Sequence, residues 1–360
     1  MYSRISWKYA IFGIQSPSMR IIISVFFSFL ASLSTYADSS LYERGKAYFY
    51  GDGVEQNYSK ALLAFEQATK NNDLDAMTAL GVMYIEGVGV DQDDTRGIEY
   101  LAKAADEAHP KAQYYLGAMY YLGIGVERDL TKAFGLIRLS ALQNYLDAQH
   151  NLAEMYEKGE GTEKNPEEAK KWYNDAAKSG NESGQYVLGF EYLEQGDFKN
   201  AFKWFERSAE QGHVESQYQL GLLYEYGKGV QKGYDNSVQW YKLAAAYDHI
   251  EAVYRLGLLY ETGLGLSQNY AKAMEYYLRA LEMGHLDSYA KLANLYEYGK
   301  GITLSKSKAY DYYIAAARKG HIGSQFKVAT MYKQGVGTEK DIEKSEYWLE
   351  QIELRRQPAQ

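Results

Sequence analysis

A short pattern recurs along the chain with a nearly constant period of 36 residues. In each copy a small residue is followed three positions later by an aromatic residue and then by a glycine-containing loop. The small residues are Gly45, Gly81, Gly117, Ala153, Gly189, Gly221, Gly257, Ala293 and Ala329. Self-similarity at one fixed period is typical of a repeat solenoid, in which stacked units share one continuous core. The period therefore shifts the search for function from a catalytic pocket to the surface of a stack.

The composition excludes several classes of function. The net charge of −8 over 360 residues argues against nucleic-acid binding, which requires a basic surface. The chain contains no cysteine, so it has no disulfide, no thiolate metal site and no cysteine nucleophile. Its 37 tyrosines suit both helix packing and half-exposed binding faces, because tyrosine has an apolar body and a polar tip. We predict a protein that needs no cofactor and no metal.

Residues 1–37 have the pattern of a secretory signal peptide. The apolar block at 21–33 is preceded by Arg20 and followed by the small residue Ala37 before Asp38. Its 13 residues are fewer than the roughly 20 that a membrane-spanning helix needs. We therefore predict cleavage before Asp38 and export, with a periplasmic or secreted bacterial protein as the favoured setting. Met1 and Met19 both stand as candidate start residues, and an uncleaved segment would instead tether the protein to a membrane.

The segment 111–144 illustrates how one repeat folds. Apolar residues at helical spacing predict a first helix, helix A, over residues 112–121. The glycine loop that begins at Gly123 ends this helix, since glycine readily takes the positive φ of a helix terminus. Asp129 is predicted to cap a second helix, helix B, over residues 130–143. Neither helix can bury its apolar face alone, so each repeat requires its neighbours.

This arrangement resembles a known repeat family. The pattern A-x-x-x-L-G-x-x-Y-x-x-G-x-G-V, followed by K-A-x-x-W/Y-x-x-A-A-x-x-G, is similar to the Sel1-like repeat, a relative of the tetratricopeptide repeat. The resemblance covers about residues 39–356. It implies an all-α protein, a right-handed α/α superhelix (solenoid) of about nine helix-turn-helix repeats, with the solenoid at 38–356 and a tail at 357–360. It also implies an adaptor that binds proteins, as in bacterial envelope scaffolds, regulators and secreted factors.

Two places depart from the regular repeat. The step from Gly189 to Gly221 is 32 residues, because Glu194–Phe198 replaces the full glycine loop. We expect a tighter turn there. The terminal repeats are complete, so capping of the stack is predicted at Ser39–Leu41 and in the charged tail Glu350–Arg356.

The recurring histidines and glycine loops resemble functional motifs, but their regular spacing is better explained by the repeat structure. Five of the six histidines occupy one repeat position, and equivalent positions lie a helix-pair layer apart, which is far beyond metal-ligand distances. We predict that they cap the preceding helix: His109, His213, His249, His285 and His321. The Gly-x-Gly loops lack the flanking strand and lysine of a phosphate-binding loop, and no G-x-S-x-G or H-E-x-x-H motif is present.

The candidate binding residues lie on helix A, which the resemblance places along the concave groove. Aromatic residues three positions before the small residue are predicted to form a ladder, with acids four positions after it on the same face. The predicted partner-binding residues are Tyr114, Tyr121, Tyr186, Tyr218, Tyr254, Phe326, Glu157, Glu225, Glu261 and Glu297. Such a face suits a peptide with basic and apolar side chains. Alternatively, the tyrosines pack between helices and the acids serve solubility.

The favoured hypothesis is an exported, non-enzymatic scaffold that binds a protein partner through its concave face. The rival is an enzyme acting on cell-wall or β-lactam material, as in secreted relatives that carry a disulfide in each repeat. The absence of cysteine disfavours this rival. An assay of the purified protein for β-lactam turnover separates the two.

Overall fold

The computed structural model describes residues 40–356 and consists, over that range, of helices joined by short turns, without a β-strand. Two helices form each repeat, as the sequence predicts. The helices A are Leu41–Tyr50, Leu74–Glu86, Pro110–Leu122, Leu146–Lys158, Glu182–Glu194, Val214–Tyr226, Ile250–Thr262, Asp287–Tyr298 and Ile322–Gln334. The helices B are Tyr58–Thr69, Asp94–Asp106, Leu130–Leu142, Pro166–Ser179, Phe198–Glu210, Tyr234–Ala246, Tyr270–Glu282, Lys306–Arg318 and Ile342–Arg356.

The chain divides into two compact units, one up to Gln185 and one from Tyr186 onward. Within each unit, helices A and B of a repeat pack against each other, and helix B packs against helix A of the next repeat. The signal-like segment 1–37 and the tail 357–360 lie outside the described residues. Within the described range, no helix combines the length and apolarity needed to cross a bilayer.

The recurring small residue allows helices A and B to approach closely. A Cβ atom added to Gly81 would lie 2.7 Å from Leu101 Cγ and 3.0 Å from the backbone oxygen of Gly97. Leu101 lies 20 residues later, on helix B, and is fully buried. Gly117 has the same relationship to Ile137, which lies 20 residues after it. The small residue is therefore required by packing within the repeat.

The glycine loop performs two structural tasks. Its first glycine ends helix A with a positive φ, as at Gly123, where φ is 69°. Its second glycine contacts the previous repeat: a Cβ on Gly161 would overlap the backbone oxygen of Leu130, at the start of the preceding helix B. Asp129 caps that helix B by accepting a hydrogen bond from the Lys132 backbone N–H, as predicted. The glycine loops therefore pack against the start of helix B in the previous repeat.

The short step in the second half has a simple origin. Only residues 195–197 separate Glu194 from Phe198, and Gly196 has a φ of 76°. Asp197 caps the following helix by accepting from the Asn200 backbone N–H. Phe205, 16 rather than 20 residues after Gly189, takes the buried helix-B position.

The last helix B carries a polar face where the other repeats are apolar. Ile314 and Ala317 are buried in the penultimate repeat, in the same cluster as Val328 of the next helix A. The residues 36 positions later, Glu350 and Glu353, are both exposed. This helix therefore presents carboxylates where the preceding helix B presents apolar residues to its neighbour, and the predicted cap in the charged tail includes both glutamates.

Candidate partner-binding surface

Four of the five repeat histidines lie immediately before helix A and cap it. In these four, Nδ1 accepts a backbone hydrogen bond from the residue three positions later: His109, His213, His249 and His321. The prediction that they cap the preceding helix is wrong. Each of these four histidines has an extended backbone just outside the first turn of helix A, so its ring folds over the free N–H groups of that turn. His285 instead contacts the Ser288 hydroxyl through Nδ1.

The capping histidines also join successive repeats. Because His249 Nδ1 accepts from Ala252, its other ring nitrogen carries the proton and donates to Glu215 of the previous repeat at 2.9 Å. This hydrogen bond lowers the pKa of Glu215, and its effect is larger than that of burial, which acts in the opposite direction. His109 makes the corresponding contact with Asp75 at 3.3 Å.

The predicted aromatic ladder packs on these caps. The Tyr218 ring stacks on His249 with 4.4 Å between centroids, and Tyr254 stacks on His285 at 4.0 Å. Tyr186 lies 4.8 Å from His213 in the same relationship. In the first unit Tyr145 takes the place of the histidine, and Tyr114 lies 5.2 Å from it. The rings of the predicted ladder therefore serve as contacts between successive repeats.

These side chains differ in what they expose to a partner. Tyr114 is 2% exposed, and burial raises its pKa. Tyr186, Tyr218 and Tyr254 are half-buried. Phe326, by contrast, is 61% exposed.

Tyr121 differs from the ladder tyrosines in its contacts. It is also half-buried, and its hydroxyl donates to Glu160 at 2.8 Å. Burial first, and then this hydrogen bond, raise the pKa of Tyr121 to about 12.

The predicted acids each accept a hydrogen bond from a tyrosine on helix B, 16 residues later. Tyr241 donates to Glu225 at 2.7 Å, and Tyr277 donates to Glu261. Tyr313 makes the same bond to Glu297, and Tyr173 to Glu157. These bonds satisfy the hydroxyls of Tyr241 and Tyr277, which lie on side chains that are fully buried.

In the second unit a cation from the next repeat completes each pair. The cation lies 30 residues after the acid: Arg255 Nη1 is 3.1 Å from Glu225, and Lys291 Nζ is 3.5 Å from Glu261. Lys327 Nζ is 3.1 Å from Glu297. These three acids are largely buried and already neutralised. Glu157 is different, because it is exposed and no cation lies within ion-pair distance of it in residues 40–356.

Sequence reasoning missed two exposed aromatic side chains at the end of helix A. Tyr226 is 52% exposed and Tyr298 is 54% exposed. Both directly follow a ladder acid, and that adjacency is the signal that could have identified them. Arg255 Nη1 donates to the Tyr226 hydroxyl at 2.9 Å, while Lys327 Nζ lies 5.8 Å from the Tyr298 ring. Arg255 and Lys327 therefore each contact both an acid and the aromatic residue that follows that acid.

No metal centre is apparent in the part of the chain that the structure describes. Over residues 40–356 no three His, Cys, Asp or Glu side chains cluster closely enough to bind a metal ion. The histidine rings are one repeat apart, and each is engaged with a backbone N–H or a serine hydroxyl. The repeated histidine position thus has a structural explanation.

Comparison with known proteins establishes the family. The model described as the Sel1 repeat matches nine segments: residues 38–73, 74–109, 110–145, 146–181, 183–213, 214–248, 250–285, 286–321 and 322–352. The chain belongs to the Sel1 repeat family. The nine Sel1 segments agree with the nine repeats read from the period.

Solved structures agree with the Sel1 assignment. A protective antigen present in uropathogenic Escherichia coli strains, which displays an SLR fold, is 27% identical with a TM-score of 0.68, over 90% of this chain and 79% of that one. A Sel1 repeat protein from Oxalobacter formigenes is 22% identical with a TM-score of 0.53, over 97% of this chain and 96% of that one. The comparison with curated proteins gives no match.

The histidine caps lead to a prediction about stability. We expect His249→Ala to lower the free energy of unfolding by about 1 kcal/mol, because the helix loses its capping acceptor. His249→Asn should lower the free energy of unfolding by less, because an asparagine oxygen can still cap the helix. The loss that remains then comes from the contacts with Tyr218 and Glu215. Urea unfolding followed by circular dichroism measures both variants. Equal stability of His249→Ala and the unaltered protein would show that the cap does not stabilise the fold.

Proposed function

We propose that this Sel1 repeat protein is an exported, non-enzymatic scaffold that binds a protein partner through the exposed aromatic side chains of its helices A. The observation that carries the proposal is the pair Tyr298 and Phe326. Both are more than half exposed, and Lys327, the residue next to Phe326, lies against the Tyr298 ring. Exposed aromatic residues held on a rigid frame are favoured anchors for a partner, because little conformational freedom is lost on binding.

The partner expected on this face carries apolar and basic side chains. Tyr226, Tyr298 and Phe326 offer contacts for the apolar ones. Glu157 offers an exposed carboxylate without a cation partner in the described chain, whereas Glu225, Glu261 and Glu297 are already paired. Tyr186, Tyr218 and Tyr254 would contribute their half-exposed edges.

Export is the second part of the proposal. It is supported by the signal-like pattern of residues 1–37, and by the likeness to a bacterial protein described as a protective antigen. N-terminal sequencing of protein recovered from the periplasm or medium tests it. A first residue of Asp38 supports cleavage; recovery of the uncleaved chain with membranes would support the tethered alternative.

A photocrosslinking experiment tests the binding face. We expect a photoreactive amino acid at position 326 or 298 to give a discrete crosslinked product in the native envelope fraction. The matched control is position 243, where Leu243 is 47% exposed but lies on helix B. The same products from position 243, or none from either helix-A position, would contradict the proposed face. Phe326→Ala with Tyr298→Ala should abolish capture of the identified partner without changing the helical content.

A further inference from the structure

The helices A of the first three repeats enclose a narrow groove in the first unit. The space inside it is about 30 Å³, which is room for about two water-sized groups. Its lining contains two lysines and no acidic residue, although the chain as a whole has a net charge of −8. The lining residues that matter below are Tyr42, Lys46, Tyr50, Thr78, Met83 and Lys111.

Two tyrosine hydroxyls in this lining are available as hydrogen-bond donors. Tyr42 is half-buried and Tyr50 is 41% exposed, and neither hydroxyl has a hydrogen-bond partner among residues 40–356. Burial raises the pKa of both Tyr42 and Tyr50, so both hydroxyls keep their protons at neutral pH. The buried part of the lining, by contrast, is largely apolar and includes Met83.

The groove lies where the second repeat lacks a ladder ring. Thr78 stands in the position that Tyr42 and Tyr114 occupy in the neighbouring repeats. Its hydroxyl donates to the Leu74 backbone oxygen at 2.7 Å, so the side chain folds back on its own helix. The second repeat therefore contributes no aromatic ring to this part of the helix-A face, and Thr78 lines the groove instead.

Lys111 reverses the charge that other repeats carry at the same position. The equivalent residues are acidic in five repeats: Asp75, Asp147, Glu215, Glu251 and Asp287. Lys111 Nζ makes no ion pair and no hydrogen bond within residues 40–356, and it lies 5.9 Å from the centre of the Tyr115 ring. The lysine therefore has no partner of opposite charge in the described chain.

An ammonium group is unfavourable at this place for three reasons. Lys111 is half-buried, and burial lowers its pKa, an effect that the more distant charges of Asp75 and Asp147 offset only in part. The charge of Lys46 lowers the pKa of Lys111 further. Lys111 also lies in the first turn of Pro110–Leu122, where the helix dipole favours a negative charge. An anion beside Lys111 would relieve all three.

We propose that this groove binds the carboxylate of an acidic side chain presented by a partner protein. The carboxylate accepts from the Lys111 ammonium group and from the hydroxyls of Tyr42 and Tyr50, while its methylene stem contacts the tyrosine rings. A side chain is favoured over a chain terminus, because about 30 Å³ holds a carboxylate but not the amide and side chain that accompany a terminal one. The site goes beyond the surface at Tyr298 and Phe326, since it lies in the first unit and selects a negative group.

Titration with a single capped amino acid tests the groove without knowledge of the partner. The probe is Nα-acetyl-glutamate amide, and the neutral control is the glutamine analogue. The readout is the methyl resonance of Met83 in protein labelled with ¹³C-methyl methionine, assigned as the signal that Met83→Leu removes. We expect a saturable shift with a Kd on the order of 1–10 mM for the glutamate probe. No saturable shift, or equal binding of the glutamine analogue, would overturn the proposal.

Two further probes distinguish the source of the negative charge. Nα-acetyl-leucine presents a terminal carboxylate, and inorganic phosphate presents an anion without a stem. We expect both to shift the Met83 resonance less than the glutamate probe at the same concentration and ionic strength. Tighter binding of either one would contradict the assignment to an acidic side chain.

Substitution of Lys111 separates a binding role from a structural one. We expect Lys111→Gln to weaken the glutamate probe by about tenfold or more, and Lys111→Arg to retain binding because it keeps the charge. The matched control is Lys132→Gln, since Lys132 also lies in a first helical turn of this unit but is 63% exposed and paired with Asp129. This control should bind the probe as the unaltered protein does.

Urea unfolding of Lys111→Gln gives the second measurement. We expect this variant to be at least as stable as the unaltered protein, because it removes a half-buried cation from a helix N-terminus. A loss of stability would assign Lys111 a structural role and overturn the proposal. Unchanged probe affinity in Lys111→Gln would show that the probe binds elsewhere. Neither result depends on the outcome at Tyr298 and Phe326.

Discussion

Gly81→Ala is expected to destabilise the first unit by about 2 kcal/mol, because the added methyl group overlaps Leu101 Cγ at 2.7 Å and faces the Gly97 carbonyl oxygen. Leu101 is fully buried and cannot move aside without displacing its own neighbours. The same substitution usually favours a helix, since alanine is a better helix former than glycine. Overpacking should therefore outweigh a gain from helix propensity of about 1 kcal/mol.

Gly135→Ala is the matched control for that prediction. Gly135 lies within a helix B of the same unit, and an added Cβ would contact nothing within 4 Å. We expect this variant to gain about 0.5–1 kcal/mol. Urea unfolding of both variants, followed by circular dichroism, gives the two free-energy changes. Changes of the same sign would contradict the assignment of Gly81 as a packing requirement.

The second large effect is expected at the buried acid–tyrosine pair. Glu261→Leu should lower the free energy of unfolding by about 2 kcal/mol, because the Tyr277 hydroxyl loses its acceptor while its side chain remains fully buried. The double variant Glu261→Leu/Tyr277→Phe should recover most of this loss, since no buried hydroxyl is then left without an acceptor, and Lys291 and Lys300 are exposed enough to be solvated. A double-mutant cycle in urea unfolding measures the coupling. Additive effects would show that the hydrogen bond is unimportant.

The acid–tyrosine pair also predicts a pH dependence. Burial by itself raises the pKa of Glu261, but the hydrogen bond from Tyr277 and the charges of Lys291 and Lys300 outweigh it and hold the pKa below the ordinary glutamate value. A carboxyl with a lowered folded-state pKa stabilises the protein above its unfolded-state pKa and loses this effect as the pH falls through the folded value. The stability difference between the unaltered protein and the double variant should therefore shrink as the pH falls below about 4.3, the usual pKa of a glutamate. A difference that grows on acidification would contradict this sign.

The alternation of acid and apolar pairs explains what the sequence could and could not predict about the site. Wherever Glu stands four residues after the small residue, a tyrosine stands on helix B, as in Glu225 with Tyr241. Where that position is apolar its helix-B partner is apolar too, as in Ile85 with Leu101 and Leu193 with Phe205. This co-occurrence is visible in the sequence and identifies these acids as partners of buried tyrosines. It does not by itself show which aromatic side chains remain exposed.

The helices and their limits were predictable because each is determined by local chemistry. Asp129 lies at a helix end where a cap is needed, Gly123 lies where a positive φ is needed, and the period predicts the equivalent positions in the other repeats. The histidine caps illustrate the limit of such reasoning. A histidine between two helices can serve either one, and only the backbone direction at His249 shows that it serves the helix that follows. Exposure, as at Tyr298 and Phe326, depends on neighbouring repeats and needs the structure.

The two glutamates on the last helix have a consequence for how a chain of this kind can change in length. A duplicated repeat inserted in the interior would find matching apolar neighbours on both sides, and would be accepted. A copy added after residue 356 would meet Glu350 and Glu353, whose carboxylates would lose their water without gaining partners. Tandem duplication is therefore favoured inside the array and disfavoured directly after the last helix B, because the polar face of that helix would be buried.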